Sequence, residues 1–370
     1  MKIILLLPSL DLGGAERQAV LIANSLATDG HQVSMVIFKG GGSLTGTLDK
    51  ERVELVLLEV NGPVSAVKAL KGLLALTSRG GADVIYSFLP PSNLVAGFIG
   101  LMQRKLRIIW GLRSSVMPMH FYGWKLRALY WAELKLIWMA NGIITNSVAG
   151  QAKVPLRLKQ KGLSITIPNA IDTDLYFKDK TLREGSRSRH RLAPETIAIG
   201  IVARMDPVKD HFTFVRAAFK FASEIKNSVF FVIGDGDPAY RSNVEALIEE
   251  LGLTDRFIFT GTVSDINAAY NMLDIAALTS VSEGFPNAVG EAMATATPCT
   301  VTDVGDCSQL VDDLDLVCPV GDDDRLASIW LRLADVTYRE MKGHQALKRV
   351  TETFTISKCR KSTVDFLGSL

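Results

Sequence analysis

Two cations and two carboxylates stand out by type and spacing. Arg204 and Lys209 lie in Val202-Ala203-Arg204-Met205-Asp206-Pro207-Val208-Lys209, directly after the apolar run Ile197–Val202, which reads as a buried strand. Cations at the carboxyl end of a central parallel strand face a ligand cleft rather than a core. Fixed positive charge there would stabilise the charge that develops on a departing diphosphate, without a metal. A surface salt bridge with Asp206 or Asp210 is the alternative. The carboxylates lie in Ser282-Glu283-Gly284-Phe285-Pro286-Asn287-Ala288-Val289-Gly290-Glu291-Ala292-Met293, which joins a strand to a helix starting near Pro286. Free amides at that start can hold phosphate or sugar oxygens. Glu283 just before the helix and Glu291 inside it can accept hydrogen bonds from several hydroxyls. A paired-carboxylate hydrolase also needs two acids, but here one is on a loop and one in a helix. A capping acid plus a surface acid is the other reading.

Gly13-Gly14-Ala15-Glu16-Arg17 follows the first strand and opens a helix. Glycines there allow close backbone approach, and a helix N-terminus favours an anion. The pattern is not Gly-x-Gly-x-x-Gly, so the dinucleotide fingerprint is absent.

The elements that must position these residues alternate regularly. Apolar runs at Ile3–Leu7, Gln32–Phe38, Glu54–Leu58, Asp83–Ser87, Arg107–Gly111, Ile143–Thr145 and Ser164–Ile167 predict strands, with helices between them at Ala15–Thr28 and Val64–Thr77. Their weak alternation predicts parallel strands buried on both faces. Tyr176 to Glu195 is polar and basic and reads as the domain boundary. A second series follows, with strands Ile197–Val202, Val229–Ile233, Arg256–Phe259, Ile275–Leu278 and Cys299–Thr302, and helices at 209–224, 239–251, 264–272 and from about Asn287. Two such halves predict a ligand cleft between them. The domains expected are 1–175 and 176–350, with 351–370 a C-terminal helix packing back on the first.

The chain's 370 residues, 48% of them hydrophobic, suffice for two cores. Four cysteines without Cys-x-x-Cys spacing fit a reducing compartment, with neither disulfide nor zinc expected. The apolar start is too short to span a membrane and lacks a cleavage site, so a cytoplasmic protein is expected. The net charge of +2 conceals an asymmetry: residues 1–180 hold 21 Lys/Arg against 12 Asp/Glu, and the rest 20 against 27. Between Arg104 and Lys161 there are eleven bases and one acid, Glu133. Such a surface attracts anions, including an anionic membrane, unless it is only a solvated basic face. Trp124, Trp131 and Trp138, seven residues apart among Lys125, Arg127 and Lys135, suit an interfacial helix, although a core helix of the first domain is the preferred reading.

These motifs together resemble glycosyltransferase family 4. The resemblance runs nearly end to end, through Gly13-Gly14-Ala15-Glu16, Ile167-Pro168-Asn169-Ala170-Ile171-Asp172, Val202 to Asp210, Gly234-Asp235-Gly236 and Gly261-Thr262-Val263-Ser264-Asp265. It continues through Glu283 to Glu291 and Cys299-Thr300-Val301-Thr302-Asp303-Val304-Gly305-Asp306. The glutamate, seven residues, glutamate signature with the Arg/Lys pair makes it specific. It implies the α/β GT-B fold, two facing Rossmann-like domains with the active site in the inter-domain cleft. It implies a retaining transfer from a nucleotide-diphosphate sugar, needing neither metal nor other cofactor. Arg204, Lys209, Gly13 and Gly14 would bind the diphosphate, Glu283 the donor-sugar hydroxyls and Glu291 the ribose. Gly284, Phe285, Pro286 and Asn287 would line the sugar and phosphates, and Thr262 and Val263 the base. The implied acceptor is a glycan or lipid-linked sugar of surface polysaccharide synthesis, with the basic first domain lying against the membrane and no nucleic acid as partner.

The chain departs from the family twice. Where many relatives have a histidine after the strand at Arg107–Leu112, it reads Gly111-Leu112-Arg113-Ser114-Ser115, so Arg113 takes that place and can hold an anion but not act as a base. His120 is read as incidental. In Ala294-Thr295-Ala296-Thr297-Pro298 an alanine replaces the usual glycine before the last pair, a change expected to alter only a turn. The competing readings are a nucleotide-sugar 2-epimerase on the same fold, a dinucleotide-dependent oxidoreductase, and a non-catalytic nucleotide-sugar-binding protein.

Overall fold

The protein is described from a computed structural model covering residues 1–11, 13–113 and 123–370. The chain forms two compact units. One takes in the residues up to Ala170 together with Ile356–Leu370, and the other runs from Ile171 to Thr355.

The first unit contains a seven-stranded parallel sheet of β1 (Lys2–Leu7), β2 (Gln32–Ile37), β3 (Val53–Leu57), β4 (Val84–Phe88), β5 (Arg107–Leu112), β6 (Gly142–Thr145) and β7 (Ser164–Thr166), in the order β3-β2-β1-β4-β5-β6-β7. Ile3, Leu5 and Leu7 enter one core layer while Ile4 and Leu6 enter the other, so consecutive residues of β1 face opposite sides of the sheet. That is why the strands read as unbroken apolar runs. The C-terminal helix Ile356–Ser369 closes one layer, placing Cys359, Phe366 and Leu367 in it and packing on helix Gly14–Thr28.

The second unit repeats the plan with β8 (Ile197–Val202), β9 (Ser228–Ile233), β10 (Phe257–Gly261), β11 (Ile275–Leu278), β12 (Cys299–Thr302) and β13 (Val317–Cys318), all parallel, in the order β10-β9-β8-β11-β12-β13. Its core holds an aromatic block of Phe214, Phe221, Phe230, Phe257 and Trp330. The Trp330 indole donates to Thr300 Oγ1 at 3.0 Å, so its one polar atom is satisfied inside the core. All four cysteines are buried and free.

Two sequence expectations change. The polar stretch 176–195, read as the domain boundary, forms helix Lys180–Arg189 within the second unit, and the chain divides earlier, after Ala170. Arg183 and Arg187 point inward from that helix to Asp274, at 2.6 and 3.0 Å, so their charge is structural. Nor is the tryptophan helix a core helix. In Trp124–Lys135 the inward side is built from Leu126, Leu129, Tyr130 and Glu133, followed by buried Ile137. The heptad-spaced tryptophans therefore fall outside, with Trp124, Trp131 and Trp138 at 74%, 64% and 52% exposure.

Candidate active site

The strand order reverses direction between β8 and β11, and at such a switch point the loops leaving the two strands splay apart and open a crevice. Arg204 and Lys209 leave β8, and Glu283 leaves β11. Lys209 Nζ donates to Glu283 Oε1 at 2.5 Å, and Ser280 Oγ donates to the same oxygen at 2.6 Å. Among the described residues Oε2 of Glu283 has no partner, so one carboxylate oxygen anchors the loop and the other is available as an acceptor.

Both loops are held by backbone contacts that side chains at neighbouring positions would forbid. Gly234 has φ +131°, and a Cβ there would lie 2.2 Å from the carbonyl oxygen of Ala203. The Met205 amide donates to Asp235 O at 3.1 Å and the Asp237 amide to Met205 O at 3.0 Å, so Gly234-Asp235-Gly236 forms a rail along the Arg204 loop. Gly305, at φ +56°, does the same for the other loop: a Cβ would meet the Glu283 carbonyl oxygen at 2.2 Å. The next amide, Asp306 N, donates to Gly284 O at 3.0 Å. Thr279 Oγ1 donates to the carbonyl oxygens of Lys209 and Asp210, both at 2.9 Å, joining the two loops at their base. Thr279 and Ser280 brace the two loops in a way that motif spacing does not reveal, since small hydroxyl residues after a strand are common in any α/β protein.

Arg204 is 66% exposed on its side chain and pairs with Asp206 at 2.8 Å, the surface salt bridge weighed as its alternative role. Such a pair is weak and a stronger anion can displace it. His211, next to this loop at the start of helix His211–Glu224, is fully buried. Burial, reinforced by the charge of Lys209, pushes its imidazole down to about 4, so it stays neutral and adds no charge beside the lysine.

The helix expected near Pro286 runs Asn287–Ala294 with Pro286 at its N-cap. Phe285 is buried edge-on to Phe354, with ring centroids 5.3 Å apart, which anchors the segment bearing the Gly284, Phe285 and Asn287 amides. Glu291 is 5% exposed and accepts from the Tyr270 hydroxyl at 2.9 Å. Thr262 and Val263 follow β10 and line a cavity of about 270 Å³ together with Ser264, Asp265, Arg189 and His190.

The remaining expected site residues lie in the first unit. Gly13 is the N-cap of helix Gly14–Thr28, and the Glu16 side chain folds back over it, so that a Cβ on Gly13 would lie 2.1 Å from the carboxylate. Burial pushes the Glu16 carboxyl up. Gln18 exchanges two hydrogen bonds with the backbone of Ala170, at 2.8 and 3.0 Å, tying this helix to the Ile167–Asp172 motif. Arg113, just past β5, donates to Asn169 Oδ1 at 3.0 Å and to the Tyr86 hydroxyl, and its guanidinium carbon lies 4.5 Å from the Phe88 ring centroid. Burial holds the Tyr86 phenol up at about 12, so it accepts from the arginine as a neutral group. The sequence carries no signal for this tyrosine, because a lone aromatic in an apolar strand looks like core. His120, Ser114 and Ser115 lie outside the described residues.

A model of Glycosyltransferase Family 4 matches residues 12–175, and one of Glycosyl transferases group 1 matches residues 196–335. A 2-deoxystreptamine glucosyltransferase of Streptomyces kanamyceticus is 34% identical over 38% of this chain, a stretch spanning 36% of that enzyme. An α-1,4-N-acetyl-D-galactosaminyltransferase of Campylobacter jejuni, named for an undecaprenol-diphosphate-linked glycan, is 23% identical over 100% of this chain and 99% of its own. The crystal structure of HepE from Anabaena in complex with UDP-glucose superimposes with a TM-score of 0.86 at 22% identity, covering 100% of both chains. This last likeness establishes the GT-B fold.

Proposed function

The chain belongs to glycosyltransferase family 4, and on that premise we propose that it is a retaining, metal-independent enzyme transferring a sugar from a nucleoside-diphosphate donor to a glycan or lipid-linked acceptor in surface polysaccharide synthesis. The observation that carries the reading is the Lys209–Glu283 pair at the switch point of the second sheet, with an open acceptor oxygen on the glutamate. In the resting protein each partner neutralises the other. When a donor binds, Lys209 and Arg204 exchange Glu283 and Asp206 for the diphosphate. Glu283 then accepts hydrogen bonds from the sugar. The two cations stabilise the leaving diphosphate as its charge grows, which is the contribution a metal would otherwise supply. The amides of Gly284, Phe285 and Asn287 hold sugar and phosphate oxygens, Glu291 is a fixed acceptor for the ribose, and Thr262 and Val263 border the base. The relative from Campylobacter jejuni supports a lipid-linked acceptor, which would place the enzyme at the inner face of the cell membrane.

A thermal-shift screen with UDP, GDP, ADP and NAD in the presence of EDTA tests the donor assignment. A nucleoside diphosphate at about 100 times its dissociation constant should stabilise the protein by about 2.7 kcal/mol. A shift with NAD alone would overturn the reading. Stereochemistry is tested by NMR of the product, whose new linkage should keep the donor's anomeric configuration. An inverted linkage would remove "retaining" and leave the transferase.

A further inference from the structure

We propose that the exposed face formed by helix Trp124–Lys135, the turn Ile137–Met139 and the end of helix Pro90–Met102 is a docking surface for an anionic phospholipid bilayer. The inference deepens the membrane-side reading above by naming the surface that meets the lipid.

Tryptophan is on average a highly buried residue, yet Trp124, Trp131 and Trp138 are each more than half exposed. On the neighbouring helix, Phe98, Leu101 and Met102 are 53%, 50% and 65% exposed. An apolar surface of this composition is costly in water, but it suits the headgroup boundary of a bilayer, where indole rings prefer to sit. Along the chain from Arg104 to Lys161 the exposed charge has one sign. Arg104, Lys105, Lys125, Arg127 and Lys135 are exposed, and the Lys125 and Lys135 ammonium groups each lie 5.9 Å from the ring centroid of a neighbouring tryptophan. The one acid between Arg104 and Lys161 is Glu133, and it is 4% exposed, turned into the unit. No carboxylate of this stretch is therefore left outside to repel a phosphate headgroup.

The surface is also braced. Asn93, on helix Pro90–Met102, donates to Glu133 Oε1 at 2.6 Å and to the Gly111 carbonyl at 3.3 Å, while Ser87 Oγ donates to Asn93 Oδ1 at 2.7 Å. The two helices are thus tied to each other and to β4 and β5, and binding need not order them, which lowers its entropic cost. The aliphatic side chains among the tryptophans favour a bilayer over a nucleic acid, which is met by cations and stacked rings alone.

The test uses the intact protein and vesicles of phosphatidylcholine, with or without phosphatidylglycerol. Trp110 and Trp330 are fully buried, so a change in tryptophan emission on adding vesicles reports the three exposed indoles. The expected result is co-sedimentation and a blue shift with the anionic vesicles only, both reversed by high salt. Replacing Lys125, Arg127 and Lys135 together by glutamine should weaken partition roughly 100-fold. Replacing the three tryptophans by serine should abolish the blue shift. Either variant should keep the wild-type thermal shift with a nucleoside diphosphate, which separates failure of this surface from failure of the donor site. Equal binding to both kinds of vesicle, no binding, or binding unchanged by the substitutions would overturn the proposal. So would equal binding to a soluble polyanion such as heparin without a blue shift, which would mark a general anion-binding face.

Discussion

The two ends of β11 carry the same chemistry with opposite consequences. At the amino end, Asp274 is 7% exposed and both its oxygens are engaged, by Arg183 at 2.6 Å, Arg187 at 3.0 Å and the Ala198 amide at 2.8 Å. Arg187 is itself satisfied by the carbonyl oxygens of Ala193 and Thr196 at 2.9 and 2.6 Å. At the carboxyl end, Glu283 meets Lys209 through one oxygen, and its other oxygen has no partner among the described residues. A buried charge must be fully partnered or it destabilises the fold, so the amino-end cluster can have no vacancy for a ligand. The carboxyl-end pair lies on splayed loops, where incomplete partnering is tolerated and can be completed by substrate. Spare hydrogen-bonding capacity, more than charge itself, separates the ion pair proposed to bind substrate from the structural one.

Removing one charge at each end should break the comparison most sharply. Asp274→Ala leaves two inward arginines without their counter-ion and is expected to destabilise the second unit by about 3–5 kcal/mol. Urea unfolding measures this, and a loss below about 1 kcal/mol would mean that the cluster is not structural. Lys209→Ala or Glu283→Gln should instead leave the unfolding midpoint nearly unchanged and lower turnover by about 10²–10³-fold, the scale for losing one fixed group that stabilises transition-state charge. Near-normal turnover in both variants would remove the pair from the site.

A third carboxylate sharpens the contrast, because it is buried with no ion-pair partner in contact among the described residues. Glu133 accepts a hydrogen bond from Asn93, and burial pushes its carboxyl up to about 7, with that hydrogen bond and the charge of Lys153 acting in the opposite direction. The sign follows from proton binding. Between the ordinary value of 4.5 and about 7 the native state holds a proton that the unfolded chain releases, so stability falls as pH rises through that window. The loss above pH 7 is roughly 3 kcal/mol. Glu133→Gln keeps an oxygen for Asn93 and carries no charge, so it should flatten this slope. It should be more stable than the wild type above pH 7 and nearly equal to it near pH 4.5. A slope unchanged in the variant would assign the pH dependence to other groups.

What could be read from sequence follows the same division. The strands were legible because parallel strands buried on both faces leave continuous apolar runs, and the observed bounds of β8, β11 and β12 coincide with those runs. The loops of the proposed site were legible because Arg204, Lys209 and Glu283 are charged residues placed just after such strands. Asp274 and Arg187 were not, since a charge that ends in a buried network looks the same in sequence as one on a linker. The tryptophan helix was misread because a heptad of tryptophans gives no indication of which face turns inward. That was decided by Leu126, Tyr130 and Glu133 on the other side.

The smallest effect concerns a backbone position. Ala296 has φ +59°, the left-handed conformation that glycine adopts freely and that brings an alanine Cβ close to the following carbonyl oxygen. The turn is not free to relax, because helix Val336–Thr353 packs against it: a Cβ on Gly343 would lie 2.2 Å from the Ala296 carbonyl oxygen. Alanine therefore costs about 1–2 kcal/mol in the native state. Glycine would remove that strain but give the unfolded chain about 0.5–1 kcal/mol of additional freedom. Ala296→Gly should thus stabilise the protein by about 0.5–1 kcal/mol, seen as a shift in the urea midpoint without a change in slope. A destabilised variant would mean that the alanine methyl packs well enough to outweigh its own strain. Turnover should be unaffected in either case, since the turn follows the helix of Glu291 at the end remote from Pro286.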